Sequence, residues 1–428
     1  MSKKRKAKEP EPPRSLSRLA VAGLSLATAV AYFFSNPNPQ GYYDYTFRVA
    51  RNMLDGALGF TYKQPPWLNE FVPFEGFYYS VFPLGAVLSM IPVASLKSIG
   101  LIKEMPGIWI AAILAGVTCL FLLKIASRYD VPNSRRILLS MAIVFGTFMW
   151  TNLTFAGAWQ LALGFAVVGE LGAIYFTIFD RRPLIAGAFF ALAFGNRTEV
   201  LLTAPIFLYL LNRGDAETES VARTADSASA HPLRLRVSAV HFRRLAWFCA
   251  VPFVLGVATL IYNYIRFHSF ADFGYARIPG VLEEPWYNHG IFSPYYIPRQ
   301  AWEMLVKAWQ WKSEFPYLRP DGFSASILWS SPFLLFLLRF GARDKLLKYA
   351  SWTAIAVLTL VLWMHGNAGG WQFGYRYAMV LLPWAFVILL ESAPKRISPL
   401  EWTLYGISFA MNAYATWLFH WTSYLKPA

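Results

Sequence analysis

Charge is scarce in this chain. Asp, Glu, Lys and Arg supply 15% of its 428 residues, against about 25% in soluble domains. With 56% of the residues hydrophobic, there is more apolar surface than one soluble core would bury, and lipid is the natural place for the rest. Cysteine is nearly absent. Cys119 and Cys249 both fall in apolar runs and read as small hydrophobes rather than a disulfide or metal pair. No Gly-rich phosphate loop, GxGxxG or Ser-His-Asp elbow stands in a usable context, which argues against nucleotide-driven chemistry. HExxH is missing too, and no Cys/His/Asp set has ligand spacing, so His289 alone signals no metal. Internal repeats are also lacking. Acidic residues are outnumbered, giving a net charge of +15. The positive charges sit in short clusters between apolar runs, as membrane topology requires. With no nucleic-acid motif present, nucleic acid is not an expected partner.

What is present is a series of apolar runs. A bilayer core of roughly 30 Å takes about 20 apolar residues as a helix. Such runs lie at Leu19–Phe34, Gly107–Leu123, Ile137–Asn152, Ala158–Phe179, Leu184–Leu211, Leu245–Ile265, Phe323–Leu338, Ala350–Met364, Tyr375–Leu390 and Trp402–Phe419. Val81–Leu96 is apolar but carries Pro83, Gly85 and Pro92, and reads as a short span or a re-entrant piece. The expected fold is all-α, a polytopic transmembrane bundle of about ten or eleven spans with interfacial helices in its outer loops. The basic segment before the first run also describes a secretory signal; repeated spanning afterwards favours a retained anchor. Lys and Arg place residues 1–18 in the cytoplasm as a basic tail. Residues 19–211 form a first transmembrane module with an outer loop at 35–106. Residues 212–244 read as a flexible cytoplasmic loop, Asp215–Ala230 lacking large apolar side chains. Residues 245–428 form a second module with an outer loop at 266–322. The expected location is the inner (plasma) membrane.

Polar residues concentrate in the outer loops. Phe47, Ala50, Met53 and Leu54 recur at helical spacing before Gly56, predicting an amphipathic surface helix. Asp44 falls at its start, where free N–H groups favour a carboxylate; a plain cap is the simpler reading. Arg48 lies within that helix. Glu70, Glu75, Tyr78 and Tyr79 follow, ahead of the Pro- and Gly-broken segment, and suit either a cavity lining or an aromatic belt. Arg197 and Glu199 interrupt an apolar run, which predicts two short helices meeting at a site; they are either an ion pair or leave Arg197 for an anion such as a lipid phosphate. The second loop offers Tyr275 and several Trp. The third, Met364–Tyr377, offers Trp371 and Arg376 among glycines, with Arg376 a snorkelling or a phosphate-binding residue.

Four stretches together resemble the GT-C membrane glycosyltransferases, in particular the bacterial branch of protein O-mannosyltransferases and aminoarabinose transferases. They are Asp44-Tyr45…Ala50-Arg51…Leu54-Asp55-Gly56, Glu75–Ser80…Pro83-Leu84-Gly85…Pro92, Tyr262-Asn263…Arg266-Phe267…Phe273-Gly274-Tyr275, and Gly369–Tyr377…Pro383. The resemblance implies a polyprenyl-phosphate-linked sugar donor, an inverting transfer and an extracytoplasmic site. It implies Asp44 as general base, with Arg197 and Arg376 on the donor phosphate. Glu70, Glu75, Tyr78, Tyr79, Arg48, Tyr275 and Trp371 are then expected to bind substrate. The acceptor is a lipid, a glycan or a protein, and membrane lipids surround the chain. In some relatives the acid belongs to a metal site, so a divalent metal stays open. Two departures stand out: Tyr45 follows Asp44 where relatives have a second acid, and Phe155–Gln160 carries no acid at the fourth helix. The alternatives are a transporter or flippase of lipid-linked sugars, and a membrane scaffold.

Overall fold

The structure, a computed structural model, describes residues 16–213 and 231–425. It is mostly helical, 65% helix against 4% strand, as an all-α chain should be. The helices are α1 (Arg18–Phe34), α2 (Tyr45–Leu54), α3 (Leu84–Ser98), α4 (Gly107–Ala126), α5 (Asn133–Phe145), α6 (Met149–Thr154), α7 (Ala158–Ile174), α8 (Pro183–Asn196) and α9 (204–213). After the break come α10 (His231–Phe267), α11 (Ile297–Leu305), α12 (Ile327–Ser330), α13 (Lys345–Met364), α14 (Leu382–Glu391) and α15 (Pro399–Trp421).

Among the described residues, four helices are long and apolar enough to cross a membrane: Gly107–Ala126, Ala158–Phe179, Phe242–Phe267 and Lys345–Met364. Residues Arg18–Phe34, Leu84–Ser98 and Pro183–Asn196 form shorter apolar helices. The sequence reading expects more uninterrupted spans; α1 and α15 are continuous helices of 17 and 23 residues, while several other runs are broken locally. The run at Phe323–Leu338 stops at Ser330, and Pro332, which has no N–H to give, starts a 3₁₀ turn reaching Leu338. The run at Ile137–Asn152 is divided at Gly146 between α5 and α6. The run at Tyr375–Leu390 opens with a 3₁₀ turn, Arg376–Leu381, before α14. The expected break at Gly195–Glu199 is present: α8 ends at Asn196 and a 3₁₀ turn spans Thr198–Thr203. From Leu84 on, the segment Val81–Leu96 forms one continuous helix, α3, with Pro92 inside it. The expected loop at 212–244 falls largely on residues outside the described ones, but His231–Arg244 belongs to α10.

The helix α7 lies at the centre, with 83% of its apolar window buried. It packs on α4 and α8; α1 covers α4, and α10 covers α8. Small residues permit this closeness. A Cβ on Gly169 would overlap Ala193 of α8, and one on Gly85 would overlap the Gly195 backbone, so α3 crosses α8 in direct backbone contact. In α10 only 11% of the apolar window is buried. An apolar helix that turns most of its surface outward is stable where its surroundings are apolar. At the end of the bundle that holds the α14–α15 connection, Arg135 of α5 and Arg339 both donate to Glu401 of α15, the latter at 2.8 Å.

The long connections pack on one another. In the first, β1 (Phe71–Phe74) and β2 (Phe77–Ser80) form an antiparallel hairpin. Glu75 and Gly76 are its two turn residues, both at positive φ, as a tight hairpin turn requires. The second connection contributes Phe267, Ile278, Val281 and Tyr287, which form a small cluster with Val72 and Val81. In the third, the Gly366 amide donates to the Ile291 carbonyl (2.9 Å) and Gln372 N–H to Gly322 (2.8 Å). Gln372, fully buried, also gives its side-chain amide to Ala368 (2.9 Å) and receives the Arg376 N–H (2.8 Å). These bonds hold the irregular third connection at one end of the bundle.

Candidate functional site

The three connections roof a cavity of about 1120 Å³ whose floor is formed by α7, α8 and α13. Its lining includes Glu70, Trp159, Arg197, Glu199, His365, Arg376 and Tyr377. Aromatic rings dominate the rest, among them Trp67, Tyr275, Trp286 and Trp371.

Glu70 immediately precedes β1. Its neighbour Asn69 accepts the Tyr45 hydroxyl at 3.1 Å, which fixes this corner to the start of α2. Trp159, in the first turn of α7, donates its indole N–H to both Glu70 carboxylate oxygens, at 2.8 and 3.0 Å. The indole is itself enclosed by Tyr43 (4.9 Å) and Tyr45 (5.1 Å) between ring centroids. The stretch Phe155–Gln160 carries no acid of its own, and Trp159 brings one to it from the first connection. Desolvation raises the Glu70 carboxyl to about 7, against the opposing pull of the Trp159 N–H and the Arg376 charge.

Arg376 is only 6% exposed. Its guanidinium lies over Tyr377 (5.2 Å) and Trp159 (5.9 Å). Among the described residues, its one side-chain hydrogen bond is a long one to the Tyr377 hydroxyl, at 3.5 Å, and its Nε has no partner. A buried guanidinium with most of its donors unused is an anion site in waiting. Arg197 differs. It binds Glu199 through Nε (2.8 Å) and Nη2 (2.6 Å) and also lies over Tyr377, at 4.7 Å. It therefore reaches the cavity already partnered. Nearby, Asn196 Oδ1 and Gln160 Oε1 are buried without partners, which leaves two acceptors for substrate hydroxyls.

Two further groups facing the cavity, His365 and Tyr275, are neutral around pH 7, while the Glu284 carboxyl is raised by burial. Burial lowers His365 to about 4, with Arg197 and Arg376 adding to the effect. Burial also raises Tyr275, whose hydroxyl lies 3.1 Å from that of Tyr287.

Of the residues singled out from sequence, the cavity gathers Glu70, Arg197, Tyr275, Trp371 and Arg376. Asp44, Arg48, Glu75, Tyr78 and Tyr79 are not among its lining residues. Asp44 stands at the N-cap of α2 but makes no capping bond with its side chain. Its Oδ1 instead accepts from Arg48 Nε and Nη2, both at 3.1 Å. Burial raises the Asp44 carboxyl while Arg48 pulls it back. Glu75 is an exposed turn residue 3.5 Å from His268. Tyr78 bridges to Phe60 through its backbone, and Tyr79 packs on Phe267 with ring centroids 5.8 Å apart. Sequence reasoning did not single out Trp159, His365 or Tyr377 as site residues. Only their closeness to Glu70 or Arg376, in the chain or in space, marks them.

Among the described residues, no three His, Cys, Asp or Glu side chains cluster in a way that would hold a metal ion. The donor set therefore does not fit the divalent metal left open by the resemblance. No family model, curated protein or solved structure matches this chain.

Proposed function

We propose that this chain is an integral membrane glycosyltransferase of the GT-C kind, moving a sugar from a polyprenyl-phosphate donor to a hydroxyl acceptor. The observation that carries the reading is Arg376: buried, under-bonded, and set on an aromatic cavity beside a carboxyl group. A lipid phosphate is an anion attached to an apolar chain. Arg376 suits the first part, and the aromatic lining suits both the chain and the faces of a sugar. Arg197, across Tyr377, offers further positive potential while Glu199 holds it in place.

In this reading the acceptor oxygen attacks the anomeric carbon and the bond to the phosphate oxygen breaks, its electron pair staying on the phosphate. The leaving phosphate gains one negative charge, which a preorganised guanidinium stabilises more in the transition state than in the ground state. The phosphate supplies the activation, so no nucleotide is required. The distribution of Lys and Arg favours an inner-membrane location with the N-terminus in the cytoplasm and the cavity outside. The polytopic bundle and its fuller count of spans belong to the same proposal.

The test is mass spectrometry of envelope glycolipids and glycoproteins from cells with and without the gene. A sugar modification lost with the gene, and restored by the wild-type chain but not by Arg376→Gln, is the expected result. An unchanged profile would overturn the proposal.

A further inference from the structure

We infer that Glu70 takes the proton from the acceptor hydroxyl, and that its carboxylate, sharing the cavity with Arg376, opposes binding of the donor phosphate there. The inference rests on the lipid-phosphate reading above and adds to it the identity and coupling of the proton acceptor. Three observations carry it. Both Glu70 oxygens are held by one donor, Trp159, and the group lines the same cavity as Arg376. Arg376 has no carboxylate within ion-pair distance among the described residues, and its guanidinium lies 5.9 Å over the same Trp159 ring that bonds Glu70. Asp44, the acid implied by the resemblance, is paired with Arg48 and does not line the cavity.

The charges balance through the reaction. At the start the site holds a Glu70 carboxylate and a phosphodiester with one negative charge. The acceptor O–H proton moves to Glu70 as the acceptor oxygen bonds the anomeric carbon. The C–O bond to phosphate breaks, leaving a phosphate monoester with two negative charges and a neutral Glu70. The net charge facing Arg376 is unchanged; only its location moves, from the carboxylate to the phosphate. The positive end of the site therefore needs no rearrangement as the bond breaks.

The cavity that holds Glu70 also carries Arg197 and Glu199, which pair with each other, Glu284 of the second connection, whose carboxyl burial raises, and His365, which burial lowers to about 4. Facing Glu70, Tyr45 comes from α2, Tyr275 and Tyr287 from the second connection, Trp159 from α7, and Arg376 from the third connection. The three tyrosines are pushed further above neutrality by burial, and Trp159 does not titrate. Glu70 itself sits at about 7. A bound anion stabilises protonated Glu70, so by linkage the anion binds best when Glu70 is neutral. Affinity is full below the free-site value and is lost as pH rises through it.

The probe is farnesyl methyl phosphate, a diester whose single charge is constant across this range. Its affinity for the purified full chain is measured by calorimetry from acid to alkaline pH. The expected wild-type affinity falls by up to about tenfold per pH unit above the Glu70 value, and Glu70→Gln flattens the curve. In cells, Glu70→Gln is expected to lose product at least about 100-fold, in the range of general-base loss, while its probe affinity at low pH stays at the wild-type level. That retained affinity shows that the variant is folded. Probe binding whose pH dependence is the same in wild type and Glu70→Gln would overturn this inference and leave the lipid-phosphate reading standing. So would full product formation by Glu70→Gln alongside its loss in Asp44→Asn. Failure of the wild type to bind the probe at any pH would overturn both.

Discussion

Trp159→Phe isolates the contact that sets the Glu70 charge. The substitution keeps a ring between Tyr43 and Tyr45, whose centroids lie 4.9 and 5.1 Å from that of Trp159. It removes the indole N–H, which bonds both Glu70 oxygens at 2.8 and 3.0 Å. A hydrogen bond to an ionised group contributes about 1.5–3 kcal/mol, or about one to two pH units. The donor favours the carboxylate over the acid, so its loss favours the protonated form. From a start of about 7, the Glu70 midpoint should rise to roughly 8–9. Protonated Glu70 no longer opposes a phosphate at Arg376, so farnesyl methyl phosphate should bind up to a correspondingly higher pH. Calorimetric titration of wild type and variant over the same pH series reads the displacement directly. A curve that stays in place, or moves to lower pH, would refute the argument that Trp159 tunes Glu70 and that Glu70 competes with the ligand.

Three further outcomes follow from other contacts. Arg376→Gln should weaken probe binding by about 10- to 100-fold, and Arg197→Gln should weaken it less, because Glu199 already occupies Arg197; equal losses in the same titration would contradict this ranking. Glu401→Gln removes the negative charge shared by Arg135 and Arg339 and should cost about 3–5 kcal/mol of stability. It should appear as a lower thermal midpoint of the detergent-solubilised protein, with the pH dependence of probe binding unchanged. A nitroxide at Phe253, 71% exposed on α10, should be relaxed by oxygen rather than by a water-soluble reagent if that face meets lipid; the opposite preference would remove α10 from the bilayer.

Local patterns in the sequence were legible where chain geometry alone decides the outcome. The spacing of Phe47, Ala50 and Met53 gives α2, which runs Tyr45–Leu54 with Asp44 at its N-cap. Gly195 to Glu199 interrupts the apolar run, and α8 ends there. Arg197 and Arg376 stand out as charges at the edges of apolar runs, and the fold brings both onto Tyr377. Spacing could not show that Trp159 meets Glu70, 89 positions earlier in the chain, because that contact depends on how the first connection folds over α7. It also could not show that Asp44 would be tied up by Arg48, although the two are one helical turn apart. The turn at Glu75-Gly76 was written in the sequence as an acid–glycine pair between aromatic runs, and reading that segment as a cavity lining or an aromatic belt missed the hairpin. An apolar run need not be one uninterrupted helix, because hydropathy is blind to a break such as Ser331-Pro332, where composition stays apolar while the helix ends.

The most direct measurement supplies the purified chain, in nanodiscs, with a pool of polyprenyl-phosphate sugars and a hydroxyl acceptor extract. The readout is free polyprenyl phosphate released per protein. The account predicts release by the wild type that rises as Glu70 ionises and is lost in both Glu70→Gln and Arg376→Gln. Release equal to a protein-free control, or release undiminished by either substitution, would contradict it.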